Sequence, residues 1–159
     1  MEQPDQAVRP RPVEILLVES QLRYIEAARQ TFSGARLRNS LHVVESGDAA
    51  LDFVYRRGRY KNAPRPDLIL LDPAISGRNG WTVFAEIKVD PELKQIPVVI
   101  QTVSKSEAEL LKIYNLNDLF ITKPICCDDL IEVLRTVDGF GMAIVRHENS
   151  PQPKARAHP

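Results

Sequence analysis

The sequence predicts an α/β protein built on a doubly wound, five-stranded parallel sheet. Two observations carry this prediction. Short apolar runs alternate along the chain with segments whose apolar residues recur every three or four positions, the pattern of strands alternating with helices. The strongest run, Leu68-Ile-Leu-Leu71, is apolar at four consecutive positions, as a strand covered on both faces requires. Strands separated by helices imply right-handed βαβ crossovers and hence a parallel sheet.

Residues 1–12 carry Pro4, Pro10 and Pro12 among polar groups and read as a flexible N-terminal segment. Glu14 to Val18 is the first strand, ending at Glu19-Ser20, with Ser20 placed to cap the following helix. Leu22, Ile25, Ala28 and Phe32 give that helix one apolar face, and Ser33-Gly34 marks its end. Leu41 to Val44 is the second strand. Asp48 is expected to cap a helix with Ala49, Ala50, Phe53 and Val54, ending near Gly58. A loop with Pro64 and Pro66 leads into the third strand, which ends at Asp72. After a second loop, Trp81, Phe84 and Ile87 mark a helix. Val98 to Ile100 is the fourth strand, ending at Gln101-Thr102. A helix capped by Ser104 or Ser106 carries Ala108, Leu111 and Tyr114. Leu119 to Ile121 is the fifth strand, followed by Thr122-Lys123-Pro124. The last helix opens near Asp128 with Leu130, Val133, Leu134 and Val137 inward, until Gly139 and Gly141 break it. Residues 13–146 thus form one domain, and 147–159, with Pro151, Pro153 and Pro159, a disordered tail.

Composition narrows the function classes. With 43% hydrophobic and 26% charged residues, the 159-residue chain has an ordinary globular make-up. Lys plus Arg equals Asp plus Glu at 21 each, so no basic field argues for nucleic acid. No apolar run approaches the roughly 18 residues of a membrane span. The N-terminus lacks the apolar core of a signal peptide, and the expected location is cytoplasmic. Cys126 and Cys127 are adjacent and the only cysteines, which disfavours a structural disulfide; they read as small core-facing residues in a reducing compartment.

Chemistry is concentrated at the strand ends. Glu19-Ser20, Asp72, Thr102 and Lys123 each follow an apolar run, and in a parallel sheet these ends share one edge, where open α/β sheets bind ligands. One polar strand end needs only solvent to explain it; four at the ends of apolar strands point to a site. Two acids, a hydroxyl and a lysine suit phosphoryl transfer. The aspartate is the nucleophile, a divalent cation screens the acids, and lysine and hydroxyl bind phosphoryl oxygens.

Glu14-Ile-Leu-Leu-Val-Glu19, Asp67-Leu-Ile-Leu-Leu-Asp72, Gly80, Ile96-Pro-Val-Val99, Thr102 and Lys123-Pro124 together resemble the receiver domain of two-component response regulators, over about residues 13 to 140. Further stretches resemble single-domain regulators that partner phytochrome-type histidine kinases. These include Leu41-His-Val-Val-Glu45, Glu86-Ile-Lys-Val-Asp-Pro-Glu-Leu93 and Phe120-Ile-Thr-Lys-Pro124. The resemblance implies a flavodoxin-like fold, with Asp72 the phosphoacceptor and Lys123 the lysine that contacts the phosphoryl group. It further implies a cis bond before Pro124, Thr102 as the switch hydroxyl and Phe120 as the switch aromatic. Glu19, Asp72 and the backbone carbonyl of Ala74 become the ligands of Mg2+.

Ser20 departs from the pattern, standing where the family has a metal-binding aspartate. A neutral hydroxyl is a poorer ligand for a hard cation. The loop Pro73-Ala-Ile-Ser-Gly-Arg-Asn-Gly80 departs too: Ser76 and Gly77 replace a stiffening proline and its neighbour, and Arg78 is a candidate anion binder set against ordinary solvation. Two functions compete. One is a response regulator that accepts a phosphoryl group on Asp72 from a histidine kinase of the phytochrome type, acting as a signalling module rather than a metabolic enzyme. The other is a degenerate receiver that binds partners without phosphorylation. A hydrolase of similar fold would need a second acid two residues after Asp72, where Ala74 stands. With no further residues for an effector domain after Val145, output through partner proteins or a homodimer is expected. Phe140, Met142 and Ile144 alternate in an apolar stretch suited to either self-association or the domain's own core.

Overall fold

The computed structural model describes residues 11–35, 38–75, 79–103 and 119–134. Their strands are β1 (Val13–Val18), β2 (Asn39–Val44), β3 (Leu68–Leu71), β4 (Val98–Thr102) and β5 (Leu119–Thr122). The helices are α1 (Leu22–Gly34), α2 (Gly47–Val54), α3 (Gly80–Val89) and α4 (Cys127–Leu134). The sheet is parallel throughout, in the order β2-β1-β3-β4-β5. This is the doubly wound arrangement expected, with its topological switch point between β1 and β3.

Strand alternation sorts the core into two layers. On one face Leu16, Val18, Ile69, Leu71, Val98 and Ile100 pack with Phe53, Val83 and Ile87 from α2 and α3. On the other, Ile15, Leu17, Leu68, Leu70, Val99 and Ile121 pack with Ala28 and Phe32 of α1, and Ile131 of α4 leans on them. All four residues of β3 are fully buried, which is why that run carries no polar residue until Asp72. Each such leucine or isoleucine contributes about 1.5–3 kcal/mol over an exposed position.

Several local expectations are corrected. Ser20 does not cap α1: the N-cap is Gln21, and the amide at that turn is taken by the Glu19 carboxylate. Leu22 is 67% exposed, because the buried face of α1 begins one turn later at Ile25. Helix α2 is capped by Ser46, whose hydroxyl accepts from the Ala49 N–H at 3.1 Å. Asp48 sits instead in the first turn, where its charge favours the helix dipole. That helix stops at Val54 rather than near Gly58, since Arg56 turns to positive φ and a 3-10 turn follows at Gly58–Tyr60. Cys126 is exposed; Ile125 takes the buried position beside it. Arg11 forms a two-pronged pair with Asp67 at 2.8 and 2.6 Å, and Asp67 also accepts from the Glu14 N–H. The expected helix over residues 104–114, Arg78 and its loop neighbours, residues 1–10 and the stretch from 135 onward lie outside the described residues.

Candidate functional site

The site grows from the switch point. The β ladder extends one residue past β1 and β3: the Glu19 N–H donates to the Val44 carbonyl at 3.0 Å and the Asp72 N–H to the Val18 carbonyl at 3.1 Å. Alternation then fixes direction. Leu17 and Leu70 face the α1 layer, so Glu19 and Asp72, two residues on, face it too. Both acids are buried, Glu19 at 0% and Asp72 at 6% exposure.

Two buried carboxylates side by side need a counter-charge, and β5 supplies it. The Lys123 Nζ donates to Glu19 Oε2 and, at 2.6 Å, to Asp72 Oδ2. Its side chain is only 3% exposed. The Lys123 N–H donates to the Thr102 carbonyl at 2.9 Å, tying the ends of β4 and β5, and the bond to Pro124 is cis. The other carboxylate oxygens are held by backbone: Glu19 Oε1 accepts from the Gln21 N–H at 3.0 Å and Asp72 Oδ1 from the Ala74 N–H at 2.8 Å. Asp72 therefore presents Oδ2 toward the lysine while Oδ1 is anchored to the loop.

Thr102 and Phe120 belong to the opposite layer. Phe120 pairs with Ile100 and packs on the α2/α3 core, and Thr102, 4% exposed, lies two residues beyond Ile100 on that same face. Hydroxyl and aromatic thus approach the sheet edge from one side, acids and lysine from the other. Ser20 is half-buried next to Glu19, and Ala74 is exposed above Asp72. Gly80 closes the floor at the start of α3. A Cβ there would lie 2.6 Å from Pro73 Cα and 2.8 Å from the Asp72 carbonyl oxygen, so only glycine permits this approach.

Two residues at the site were not singled out from sequence. Tyr24 lays its ring 4.5 Å from the Lys123 Nζ, a cation–π contact. Its place in the first turn of the helix that follows Glu19-Ser20 was the available signal. Gln101 is fully buried at the end of β4 and was visible as the first polar residue after the apolar run Val98 to Ile100.

The donor set suits a hard divalent cation in part. Two carboxylate oxygens, from Glu19 and Asp72, already converge on one cationic atom, and oxygen is the ligand such ions prefer. The third position is the neutral Ser20, and among the described residues no group of three His, Cys, Asp or Glu side chains forms a metal cluster. The residues fit a cation held more weakly than by three acids.

Similarity to known proteins agrees with this geometry. Rcp1, a response regulator of Synechocystis sp. (strain ATCC 27184 / PCC 6803 / Kazusa), is 34% identical over 135 residues, covering 84% of this chain and 92% of Rcp1. Its Mn(2+)-bound crystal form superposes with a TM-score of 0.65, at 32% identity over 91% of this chain and 98% of that one. The bacteriophytochrome response regulator AtBRR is similar at a TM-score of 0.75 and 30% identity, covering 80% of this chain and 94% of that one. The phosphorylated cyanobacterial phytochrome response regulator RcpA gives 0.65 at 32% identity, covering 87% and 93%. The family description "Response regulator receiver domain" matches residues 15–135, a span that includes Glu19, Asp72, Thr102 and Lys123. Acids at the switch point, a buried lysine bridging them and three-quarters of the chain under one family pattern have a single explanation: this chain belongs to the response regulator receiver domain family.

Proposed function

We propose that the protein accepts a phosphoryl group on Asp72 from a histidine kinase of the phytochrome type and signals through a changed surface. The observation that carries this is the Lys123 Nζ bridging the buried Glu19 and Asp72 carboxylates. Asp72 Oδ2 attacks the phosphorus of a phosphohistidine, the P–N bond breaks, and the electron pair returns to the imidazole. Lys123 exchanges its Asp72 contact for a phosphoryl oxygen, and the Thr102 hydroxyl binds another. Glu19, Asp72 and the Ala74 carbonyl would hold Mg2+, which when bound screens the acids and the phosphoryl charge.

The similarity to phytochrome regulators supports the choice of kinase. Two exposed apolar residues, Leu22 at the start of α1 and Val103 after β4, flank the strand ends and give a partner something to bind. We further propose a homodimer that uses the apolar stretch Gly139 to Val145. A phosphorylation-independent interaction module is not favoured, because a relative of this chain is a phosphorylated regulator and the acid, lysine and hydroxyl are all present.

The test is incubation with acetyl phosphate, with and without Mg2+, followed by intact-mass spectrometry of wild type, Asp72→Asn and Ser20→Asp. The expected result is an acyl phosphate on wild type, none on Asp72→Asn, and more on Ser20→Asp at limiting Mg2+. Absence of any adduct on wild type under both conditions overturns the proposal.

A further inference from the structure

Gln101 is 1% exposed, yet its side-chain Nε2 has no hydrogen-bond partner. A buried amide donor left unpaired carries a desolvation cost that an apolar residue of similar size would avoid, so its presence needs a reason. Strand register supplies one. Val99 faces the α1 layer, and Gln101, two residues on, faces it as well. β3 and β4 pair as Leu70 with Val99 and Leu71 with Ile100, which places Asp72 and Gln101 side by side, about 4.8 Å apart along the ladder. β5 lies beyond β4, with Ile121 opposite Gln101 and Lys123 two residues further on the same face. To reach Asp72 on β3, the Lys123 side chain crosses the end of β4 on the face that Gln101 shares.

We infer that Gln101 is a positioning residue for the phosphorylated state: its Nε2 donates to an Asp72 carboxyl oxygen when Lys123 has left that group for the phosphoryl oxygens. This rests on Asp72 being the phosphoacceptor. In the resting pocket Lys123 occupies the acid and the amide waits unpaired. When the lysine moves, a neutral donor takes over the orientation of the Asp72 carboxyl without competing with Lys123 for the incoming charge. Gln101 therefore burdens the resting state and favours the acyl phosphate.

Two variants separate this role from simple core filling: Gln101→Leu and Gln101→Met, the latter matching the length of glutamine without its donor. Each is compared with wild type for thermal midpoint and, with acetyl phosphate and Mg2+, for the steady-state fraction and decay rate of the Asp72 adduct. The expected outcome is a midpoint equal to or above wild type together with about five- to tenfold less phosphorylation relative to unphosphorylated protein, the size of one neutral hydrogen bond. An adduct level and lifetime equal to wild type in either folded variant overturns the inference. So does a lowered midpoint in both, which would make Gln101 a packing residue only. Absence of adduct on wild type overturns the phosphoacceptor reading itself, a result distinguishable from the others because it precedes any variant.

Discussion

Lys123 shows how burial decides the worth of an ion pair. Arg11 and Asp67 meet at good distance, but Arg11 is 71% exposed, and such a surface pair contributes at most about 1 kcal/mol. Lys123 is buried with both its partners, so removing its charge leaves two carboxylates uncompensated. Lys123→Met is expected to destabilise the fold by about 3–5 kcal/mol, read as a lower urea midpoint. Tyr24 makes a smaller contribution to the same group. Tyr24→Leu should lose about 1–2 kcal/mol of cation–π attraction and Tyr24→Phe almost none, so the thermal midpoint should fall in the first variant and hold in the second. Asp72, Glu19 and Lys123 were legible in the sequence because each ends an apolar run. The roles of Tyr24 and Gln101 were not, since each depends on which side chain lies across from it, a matter of strand register and helix placement that local pattern does not encode.

Secondary-structure elements bring these residues together through a few close approaches. α3 begins against the loop after β3, and Gly80 makes this possible. An alanine at a helical position ordinarily gains up to about 1 kcal/mol over glycine. Here its Cβ would meet rigid backbone at 2.6 Å, and overpacking of that kind costs about 1–3 kcal/mol, so the clash wins. Gly80→Ala is expected to lower the denaturation midpoint and to slow adduct formation on Asp72, whose backbone must shift. At the far end of the same helix, Tyr55 of the α2 C-cap stands near Asp90, the C-cap of α3. Burial, then the hydrogen bond and charge of Asp90, push the Tyr55 phenol above its ordinary value of 10.0. The raised folded value means the neutral phenol stabilises the fold below pH 10, and this contribution is lost as pH rises through the folded value. Tyr55→Phe removes the titration. The midpoint of wild type relative to Tyr55→Phe should be flat to about pH 10 and then decline, as a pH series of thermal melts would show. Helix existence was legible from apolar spacing, but the caps were not. Ser46 lay two residues before the predicted Asp48, and both are good capping residues in the right neighbourhood.

At the scale of the molecule, one strand order explains the placement of the chemistry. β1 sends the chain one way to β2 and β3 continues the other way, opening a crevice at the ends of β1 and β3. The doubly wound parallel sheet could be anticipated from alternating strands and helices, while the sorting of site residues onto two faces emerged only with the strand order and register. Two open clefts lie away from this edge. One of about 520 Å³ runs beside the end of α1, between Arg29, Phe32 and Arg38, and one of about 500 Å³ lies under the opposite strand ends, around Pro64 to Asp67. No helix of the described residues is long and apolar enough to cross a membrane. For the proposed homodimer, sedimentation equilibrium should give a mass near twice 18.0 kDa that falls on dilution, and Met142→Asp should shift it to the single-chain mass. A mass fixed at 18.0 kDa at every concentration would count against self-association.

Serine at position 20 also changes what the fold needs from its surroundings. Two carboxylates and one ammonium leave the resting pocket with a single net negative charge, spread over oxygens that also accept from the backbone N–H groups of Gln21 and Ala74. An aspartate there would add a second negative charge and raise the repulsion among the acids, which a cation would relieve. Serine therefore lowers the charge that the resting fold must neutralise, and its integrity is expected to depend less on ion supply than that of a pocket with a third acid.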